Sequence, residues 1–564
     1  MQQTVSIGNA SFESIRKENC FYIDKTDFIR EWWDSKDVAT LIMRPRRFGK
    51  TLNMSMLNCF FSNKYAGRGE LFKGLSIWKE ERYRSIQGTY PVIFLSFAAI
   101  KAVCYEDAKK QINMQLCRVY EDHKYLLEGN FLSDNEKEQY RSVKMDMGEA
   151  VSAGALHEMS CYLSRYYKKN IIILLDEYDT PMQEAYLYGY WKEFTAFIRN
   201  IFNAAFKTNP YLERALMTGI TRVSKESVFS DLNNLNVVTV TGREYEECFG
   251  FTEKEVFDAL EKAGLSAEKE EVKKWYDGFT FGEKKDIYNP WSITNYLDKR
   301  SFQAYWAATS SNGLVNQLIR TSTGEIKEKM EQLLRGEEIA VSFDEQIVFE
   351  QLEKDENAIW SLLLASGYLK AVEVEYRGML REPWYHLKIT NLETLGMFAN
   401  MFRGWFSETS SNYKGFMKAL LSDDRKAMNY YMNKVSLATF SYFDVGREPS
   451  KETEPERFYH GFVLGLIAEQ AENYDVRSNR ESGFGRYDVM MIPKMDSTGH
   501  LPAVIMEFKV HDRDSEKTLE DTVQSALDQI EEKQYERELL ERGIPSDRIR
   551  KYGFAFEGKK VLIG

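Results

Sequence analysis

Two kinds of hydrophobic pattern alternate along the first half of the chain. Short, nearly continuous apolar runs occur at VATLIMRP, YPVIFLSFAAI, NIIILLDEYD, ERALMTGITRV and NVVTVTG. Longer segments with helical spacing, such as FGKTLNMSMLNCFFSNKY and GALHEMSCYLSRYYKK, lie between some of them. Apolar strands that are bounded by helices are typical of a parallel sheet covered on both faces. We therefore expect an α/β domain over residues 1–250.

The second half is organised differently. From about residue 252 the spacing becomes helical, in TEKEVFDALEKAG and EEVKKWYDGF, up to the turn-like YNPWSITNYL. We expect helical regions over 251–325 and 326–455, the latter with a strand pair at YLKAVEVEYRGM and WYHLKIT. The charged segment 445–457, with its two prolines, is the best linker candidate. Residues 456–564 then predict a compact α/β domain of helix, three strands, one long helix and a closing strand.

Composition narrows the class of protein. The 564 residues are enough for about two to four domains, and a hydrophobic content of 43% argues against extensive disorder. No apolar run approaches the ~18 residues needed to cross a bilayer, and the N-terminus shows no secretion signal. The six scattered cysteines form no CxxC pair, which fits reduced thiols and offers no zinc site. These features favour a cytoplasmic protein with no membrane partner.

The net charge of −11 bears on possible nucleic-acid partners. Proteins that bind nucleic acid by overall electrostatics are usually basic, so any such contact here needs a local patch. Acidic sites are nevertheless what nucleases use to bind metal ions. The charge therefore lowers the expectation of nucleic acid as a partner without removing it.

The segment RPRRFGKT, which follows the first predicted strand, ends like a phosphate-binding loop. Gly49 supplies the turn, Lys50 a charge that reaches the phosphates, and Thr51 a hydroxyl for magnesium. The following TLNMSMLNCFF predicts a helix whose N-terminus faces the anion. Arg44 stands where the GxxxxGK[ST] pattern has its first glycine. Taken alone, the match fits chance as well as it fits a nucleotide site.

A second motif supports a nucleotide site. The apolar strand NIIILLDEYD ends in Asp176, which could hold magnesium through water, and Glu177, which could polarise the attacking water. The alternative is a buried strand that simply ends in an acidic turn. Thr218 ends another strand and could act as a polar sensor between the carboxylates and the γ-phosphate. Arg222 could respond to the γ-phosphate or serve a neighbouring subunit, and a surface salt bridge explains it equally well.

A third motif lies near the C-terminus. In AVIMEFKV, strand alternation places Glu507 and Lys509 on one face and apolar side chains on the other. If Pro493 faces Pro502 in a hairpin with GRYDVMMIP, Asp488 lies opposite Glu507. Opposed carboxylates are unfavourable by themselves and call for a cation. Asp488 and Glu507 would bind Mg²⁺ or Mn²⁺, while Lys509 would orient water or stabilise developing charge.

Three further residues are weaker candidates for the same site. Glu481 could be an extra ligand, although an ion pair with Arg480 or Arg486 explains it too. Gln529 and Lys533 lie one turn apart on the next predicted helix and could line the groove. An ordinary solvated helix face is the alternative for both.

Several motifs together resemble a known family. They are FESIRKENCFYIDKTDFIREW, RPRRFGKTLNMSML, LLDEYDTP, MTGITRVSKESVFSDLNNL, WYDGF and YNPWSI. From about residue 8 to its end, the chain resembles the bacterial AAA-ATPase-like family, which is commonly fused to a PD-(D/E)XK nuclease-type domain. The resemblance implies an α/β multidomain fold: an AAA/STAND-like P-loop domain, a winged-helix-like lid over 251–325, a helical middle region and a nuclease-like domain. It also implies that Arg44 is normal for the group.

The resemblance further implies which residues meet the nucleotide. The set comprises Arg46, Arg47, Phe48, Gly49, Lys50, Thr51, Asp176 and Thr218. Tyr22, Asp24 and Lys25 are implied to pack beside the nucleotide, near the adenine. The alternative for these three is a capped surface helix with Asp24 as its N-cap.

The expected function is an ATPase coupled to a metal-dependent nuclease. The expected cofactors are ATP and Mg²⁺, with Mn²⁺ as an alternative at the nuclease site. The expected partner is nucleic acid, DNA in preference to RNA, and assembly into a homo-oligomer stays open. One alternative is an ATP-dependent switch or scaffold whose nuclease-like domain binds nucleic acid or a partner without cleaving. Another is a structural protein in which neither site turns over.

Overall fold

A computed structural model describes most of the chain. The described residues are 4–220, 229, 232–307, 313–345, 355–405, 410–443, 453–482, 485–494, 501–512, 516–557 and 560–564. They fall into two compact units. The first unit comprises Met1–Ser310 and Ala340–Glu393, and the second comprises Ser311–Ile339 and Thr394–Gly564.

The first unit begins with a parallel five-stranded sheet. Its strands are β1 (Ala39–Met43), β2 (Val92–Ser96), β3 (Ile171–Asp176), β4 (Leu212–Gly219) and β5 (Leu235–Val238). They are ordered β2-β3-β4-β1-β5, and all neighbours are parallel. Every residue of β1 and of β3 is buried, which explains their uninterrupted apolar sequences. The five strands predicted from the apolar runs are confirmed.

Two helices precede the sheet, namely α1 (Phe12–Lys17) and α2 (Asp27–Ser35). The helices between its strands are α3 (Lys50–Phe61), α4 (Glu81–Arg84), α5 (Tyr105–Asp122), α6 (Asp134–Ser142), α7 (Glu149–Tyr167), α8 (Thr180–Leu187) and α9 (Trp191–Phe202). Short 3-10 segments occupy Asn63–Tyr65, Gly69–Phe72, Ser76–Lys79 and Lys124–Leu127, and a π segment follows α9 at Asn203–Lys207. Because parallel strands need crossover connections, the helices follow from the sheet topology.

A small helical and antiparallel region follows. Its elements are β6 (Phe251–Thr252), α10 (Glu253–Lys262), α11 (Lys269–Tyr276), β7 (Phe279–Phe281), β8 (Lys284–Tyr288) and α12 (Pro290–Lys299), with a 3-10 turn at Ser266–Glu268. The strands form a sheet in the order β6-β8-β7. Asn289 caps α12 by accepting from the backbone N–H groups of Trp291 and Ser292 at 2.9 and 3.2 Å. The predicted break at Asn289-Pro290, after which a new element begins, is therefore confirmed. The β7–β8 hairpin was not predicted.

The chain then alternates between the two units. The elements are α13 (Gly313–Thr321), α14 (Gly324–Leu334), β9 (Ile339–Val341), α15 (Ala358–Ala365), β10 (Leu369–Arg377), β11 (Glu382–Ile389), α16 (Leu392–Gly404), α17 (Ser410–Ser422) and α18 (Arg425–Phe443). The antiparallel pair β10–β11 confirms the strand pair predicted in this helical region, and β9 extends it. Residues 445–452, which are most of the proposed linker, lie outside the described residues.

The second unit ends in a mixed five-stranded sheet. Its elements are α19 (Thr453–Gln470), β12 (Tyr474–Ser482), β13 (Gly485–Pro493), β14 (Ala503–Val510), α20 (Leu519–Glu532), α21 (Arg537–Glu541), β15 (Ile549–Glu557) and β16 (Lys560–Ile563), with a 3-10 turn at Ser546–Arg548. The strand order is β12-β13-β14-β15-β16, and only β14 and β15 are parallel among these described pairs. The single long helix predicted here was wrong, because the chain leaves α20 and turns at Gln534, whose φ is 53°.

Hydropathy gives no sign of a membrane segment in the structure. Within the described ranges, no helix combines the length and the apolar character needed to span a bilayer.

Candidate functional sites

The loop between β1 and α3 places three motif residues together. Gly49 has a φ of 81°, a conformation that suits glycine, and the turn there lets α3 begin at Lys50. The Lys50 side chain is buried, and its Nζ donates to the carbonyl oxygens of Arg44 and Pro45, both at 2.8 Å. Thr51 Oγ1 donates to Asp176 Oδ2 at 2.8 Å. The loop therefore meets the end of β3.

Asp176 is fully buried and both of its oxygens accept hydroxyl hydrogen bonds. The second donor is Thr218, at 2.6 Å from Oδ1. Because β4 lies between β1 and β3, the end of β4 brings Thr218 between the loop and the carboxylate. The backbone N–H of Glu177 donates to the same threonine hydroxyl at 3.3 Å, and Glu177 adopts a φ of 51°, uncommon outside glycine. These contacts join three residues that the motifs had placed in one site.

Burial perturbs the charged groups of this cluster. It lowers the pKa of Lys50, and the neighbouring carboxylates of Glu177, Asp179 and Asp176 partly oppose that shift. Burial also raises the pKa of Glu177, with Lys50 acting in the opposite direction. A carboxylate with a raised pKa is suited to accept a proton near neutral pH.

Arg44 occupies the position of the missing glycine and is fully buried. Its Nη1 donates to the carbonyl oxygens of Met43 and Thr239 at 3.0 and 2.7 Å, and its Nη2 to that of Glu244 at 3.0 Å. The guanidinium carbon lies 4.5 Å from the ring centroid of Phe281. Burial lowers the pKa of Arg44 to about 10. Arg44 thus ties the loop to the segment after β5.

The remaining loop residues make different contacts. Arg46 Nη2 donates to the side chain of Gln183 at 3.3 Å. The guanidinium of Arg47, whose φ is 66°, lies 4.2 Å from the ring centroid of Trp291. Phe48 is buried, and its ring packs against Phe279 and Phe281. Any contact of Phe48 with a phosphate would therefore come from its backbone.

Tyr22, Asp24 and Lys25, which precede α2, contact other parts of the first unit. Tyr22 is half-buried, with its hydroxyl 3.5 Å from Met56 Sδ, and Lys25 forms an ion pair with Glu255 at 2.7 Å. Asp24 accepts from the backbone N–H groups of Thr26 and Ser76 at 2.9 and 2.7 Å. The alternative that made Asp24 the N-cap of the helix was wrong, because Thr26 holds that position. In the described part of the chain, no hydrogen bond joins these three residues to residues 44–51.

The second candidate site lies on β13 and β14. Val489 faces Met506 and Met491 faces Val504, which is the register expected if Asp488 lies opposite Glu507. Asp488 Oδ2 accepts from the backbone N–H of Phe508 at 2.6 Å. The predicted register of this hairpin is therefore confirmed.

Strand alternation sorts the side chains of β14 as predicted. Lys509 Nζ donates to Ser525 Oγ of α20 at 2.9 Å, and Glu507 Oε1 accepts from Gln529 of the same helix. The ring of Phe508 points the other way and packs against Tyr459 of α19, with ring centroids 4.9 Å apart. Helix α20 therefore covers the charged face of the strand.

Glu507 is only 3% exposed, although it carries a carboxyl group. Burial, with a further contribution from Asp488, raises the pKa of Glu507 to about 8. Its Oε2 is buried and accepts no hydrogen bond from any residue that the structure describes. Burial also raises the pKa of Tyr459, with Asp488, Glu331 and other carboxylates adding to the shift. Asp488 thus adds negative charge beside both Glu507 and Tyr459.

Comparison with known proteins finds two families, one for each of the domains that carry these sites. A family model described as a predicted AAA-ATPase matches residues 6–229, and a model of the PD-(D/E)XK nuclease superfamily matches residues 454–564. The chain joins these two domains. A curated relative from Azotobacter chroococcum mcd 1, an uncharacterized protein in the vnfD 5' region, is 24% identical over 559 residues. That alignment covers 96% of this chain and 95% of the relative.

Domains of these two families generally use a nucleotide and a divalent metal ion. The residues of the nuclease domain fit a metal ion, because Glu507 has a buried oxygen without a donor and Asp488 adds a second carboxylate beside it. The residues of the ATPase domain fit a nucleotide, because a buried lysine begins α3 and a threonine hydroxyl touches Asp176.

The structure also shows residues that motif analysis did not find. In the nuclease domain they are Ser525, Tyr459, whose hydroxyl donates to the carbonyl of Asp488 at 2.5 Å, and Tyr535, which accepts from Gln529 at 3.1 Å. Each lies outside β13 and β14, on α19, on α20 or just after α20. Ser478 of β12 donates to the fully buried Glu331 of α14. A sequence motif cannot reveal such contacts without the strand register.

The weaker candidates have separate outcomes. Gln529 contacts Glu507, whereas Lys533 is exposed at the C-cap of α20. Arg222 lies outside the described residues. Glu481 belongs to β12, but its side chain is outside the described part of the structure.

Proposed function

We propose that the protein binds and hydrolyses ATP at the loop of residues 44–51 and cleaves phosphodiester bonds of nucleic acid, DNA in preference to RNA, at Asp488, Glu507 and Lys509. In this proposal the nucleotide site controls the nuclease site. The AAA-ATPase-like and nuclease-family domains support the two halves separately.

The observation that carries the nuclease half is the environment of Glu507. A buried carboxylate beside a second carboxylate is costly unless a cation compensates it, and Oε2 of Glu507 lacks a donor among the described residues. Asp488 and Glu507 would hold Mg²⁺ or Mn²⁺, which supplies Lewis-acid activation of the phosphodiester and of water when bound. Gln529 orients Glu507 by donating to its other oxygen.

Lys509 has a distinct part in the proposed hydrolysis. Its ammonium is held by the Ser525 hydroxyl at 2.9 Å, one turn of α20 before Gln529. A fixed positive charge beside the carboxylates stabilises the negative charge that develops on the phosphate, and it can orient the attacking water.

The nucleotide half rests on the contacts of Lys50. Its Nζ now donates to the carbonyl oxygens of Arg44 and Pro45, and the β- and γ-phosphates of ATP would replace these acceptors. Thr51 and Asp176 would hold Mg²⁺. Thr218 keeps the Asp176 carboxylate in place, and Glu177, with its raised pKa, would accept a proton from the attacking water.

The test of the nuclease half is a panel of single- and double-stranded DNA and RNA with Mg²⁺ or Mn²⁺, each with and without ATP. Wild type should cleave at least one substrate, and Glu507→Ala should not. Glu520→Ala is the matched control, because it removes an exposed glutamate from α20 without touching the site. Identical behaviour of wild type and Glu507→Ala would contradict cleavage at this site. Retained binding of nucleic acid without cleavage would favour the switch or scaffold.

The test of the nucleotide half compares Lys50→Ala with Lys64→Ala. Lys50→Ala should lose ATP binding, whereas Lys64 is exposed and forms only a surface ion pair with Asp122. Unchanged ATP affinity in Lys50→Ala would refute the site. If cleavage by Lys50→Ala no longer responds to ATP, the proposed control of one site by the other is supported; an unaltered response would contradict it.

A further inference from the structure

A third cluster of carboxylates lies in the first unit, apart from both sites described above. Glu253 begins α10, Asp277 directly follows α11, and Asp286 belongs to β8. One carboxylate oxygen from each residue lies within 4.8 Å of the other two. The motif WYDGF contains Asp277, but neither the nucleotide site nor the nuclease site gives that aspartate a role.

Asp277 is the buried member of the cluster. It is 8% exposed, and its Oδ1 is buried without a hydrogen-bond donor among the described residues. Its backbone is held firmly, because its carbonyl accepts from Asn391 Nδ2 at 2.9 Å. At the next residue, Gly278, a Cβ would lie 2.2 Å from the carbonyl oxygen of Thr390. The two backbone segments are therefore too close together for any side chain at position 278. The backbone that carries this carboxylate is therefore held in place on both sides of the side chain.

The surrounding positive charge does not balance the cluster. Lys273 contacts Glu253 and lies 3.5 Å from Asp286 Oδ1. A second ammonium is that of Lys370, whose Nζ lies 3.1 Å from the position that a Cβ on Gly278, the residue after Asp277, would take. Three carboxylates thus face two lysines. The Lys273 side chain is 37% exposed, so it can leave the cluster for solvent.

We propose that Glu253, Asp277 and Asp286 bind a divalent cation of the class that prefers oxygen ligands, namely Mg²⁺, Mn²⁺ or Ca²⁺. The donors are all carboxylates, without the nitrogen or sulfur ligands typical of zinc or copper sites. Oxygens that share one such ion at about 2.0–2.6 Å lie within about 5 Å of one another, as these three do. The cation compensates Asp277 and takes the position that Lys273 vacates.

The partial exposure of the other two ligands supports this assignment. Asp286 is half exposed and Glu253 is one-third exposed, which leaves an entry path and room for water ligands. Tyr288 Oη donates to Glu253 Oε2 at 3.3 Å and so orients this ligand from outside.

An ion at this position would also brace the phosphate loop. Asp277 stands two residues before Phe279, whose ring centroid lies 4.7 Å from that of Phe48. Fixing the start of β7 therefore fixes one wall against which the loop packs.

The experiment uses Tb³⁺, a luminescent probe for oxygen-ligand sites, on the full-length protein without nucleotide. Glu507→Ala serves as the parent, because it removes one of the two proposed metal ligands of the nuclease site. Excited tyrosine transfers energy to Tb³⁺ at short range, and Tyr288 contacts a proposed ligand. The chain has 33 tyrosines and 10 tryptophans, so Tyr288→Phe in the parent is needed to assign the signal.

We expect a saturable signal that Ca²⁺ or Mn²⁺ displaces and that Tyr288→Phe diminishes. Asp277→Asn should weaken Tb³⁺ binding by at least about tenfold. Asp258→Asn, which removes an exposed carboxylate elsewhere on α10, should bind like the parent. Asparagine is neutral and therefore suits the buried position; if this variant still fails to fold by circular dichroism, the half-exposed Asp286→Asn gives the same comparison. Parent-like affinity in the folded variant, or no saturable signal in the parent, would overturn the assignment.

Discussion

In metal-free buffer, a rise in pH should destabilise the nuclease domain through Glu507. The pKa of this residue is raised to about 8 in the folded state, whereas its ordinary value is 4.5. The folded state therefore binds the proton more tightly than the unfolded chain does. The resulting stabilisation is complete below the ordinary pKa and is lost as the pH rises through about 8.

The size of the effect follows from the shift. Each pH unit within this window removes about 1.4 kcal/mol, so the loss across the whole window is on the order of 3–5 kcal/mol. Glu507→Gln keeps the shape of the side chain but has no charge to lose. The variant should match wild type at the acidic end of the window and exceed its stability at the basic end.

Hydrogen exchange of peptides that contain β14 is the appropriate assay, because a chain with several domains does not unfold in one step. Wild type and Glu507→Gln are compared at each pH with a chelator present, so that the intrinsic pH dependence of exchange cancels. Mg²⁺ or Mn²⁺ should restore protection to wild type at high pH, because a bound cation stabilises the ionised carboxylate. Equal protection of the two proteins at every pH would refute the reasoning.

Three further substitutions test the nucleotide site. Thr218→Val removes the hydroxyl that donates to buried Asp176 at 2.6 Å. It should cost about 2 kcal/mol of local stability by hydrogen exchange of peptides that contain β3, and it should weaken ATP–Mg²⁺ binding. Arg44→Gly restores the glycine of the usual loop motif but leaves three backbone carbonyls without their donor. It should cost about 3 kcal/mol or more by hydrogen exchange of peptides that contain β1, and ATP affinity should not improve. Gly219→Ala would place a Cβ 2.6 Å from the Tyr178 ring and should cost about 1–3 kcal/mol by hydrogen exchange of peptides that contain β4. A change below about 0.5 kcal/mol in any of the three would contradict its explanation.

The fold was most predictable where hydrophobic pattern and burial coincide. Strands β1 and β3 are buried along their whole length, and their apolar runs identified them. The strand β8 was missed because KKDIY is short and mostly polar, and only its last two residues are buried. The turn at Gln534 was missed because EEKQYERELL keeps a helical pattern without glycine or proline at the break.

Site residues could be predicted where they belong to strands that are adjacent in the sequence. Strand alternation, with Pro493 paired to Pro502, placed Asp488 beside Glu507, and the β13–β14 pairing has that register. Ser525 and Tyr459 could not be found in this way, because they lie on α20 and α19, and a strand register does not show how helices pack against the strand. Arg44 shows the same limit: its acceptor at Thr239 is almost two hundred residues away.

The position of β14 in its sheet has a consequence for the order in which the protein is made. Its two neighbours are β13, which precedes it, and β15, which begins only at Ile549 after both helices of the crossover. While the ribosome is still making α20, β14 therefore has one unpaired edge. Most residues of this strand are buried in the folded protein. A product truncated in that interval would expose an apolar strand edge prone to aggregation, and it would lack the neighbour that holds β14 in place. β14 is therefore paired on both sides only after β15 has been synthesised.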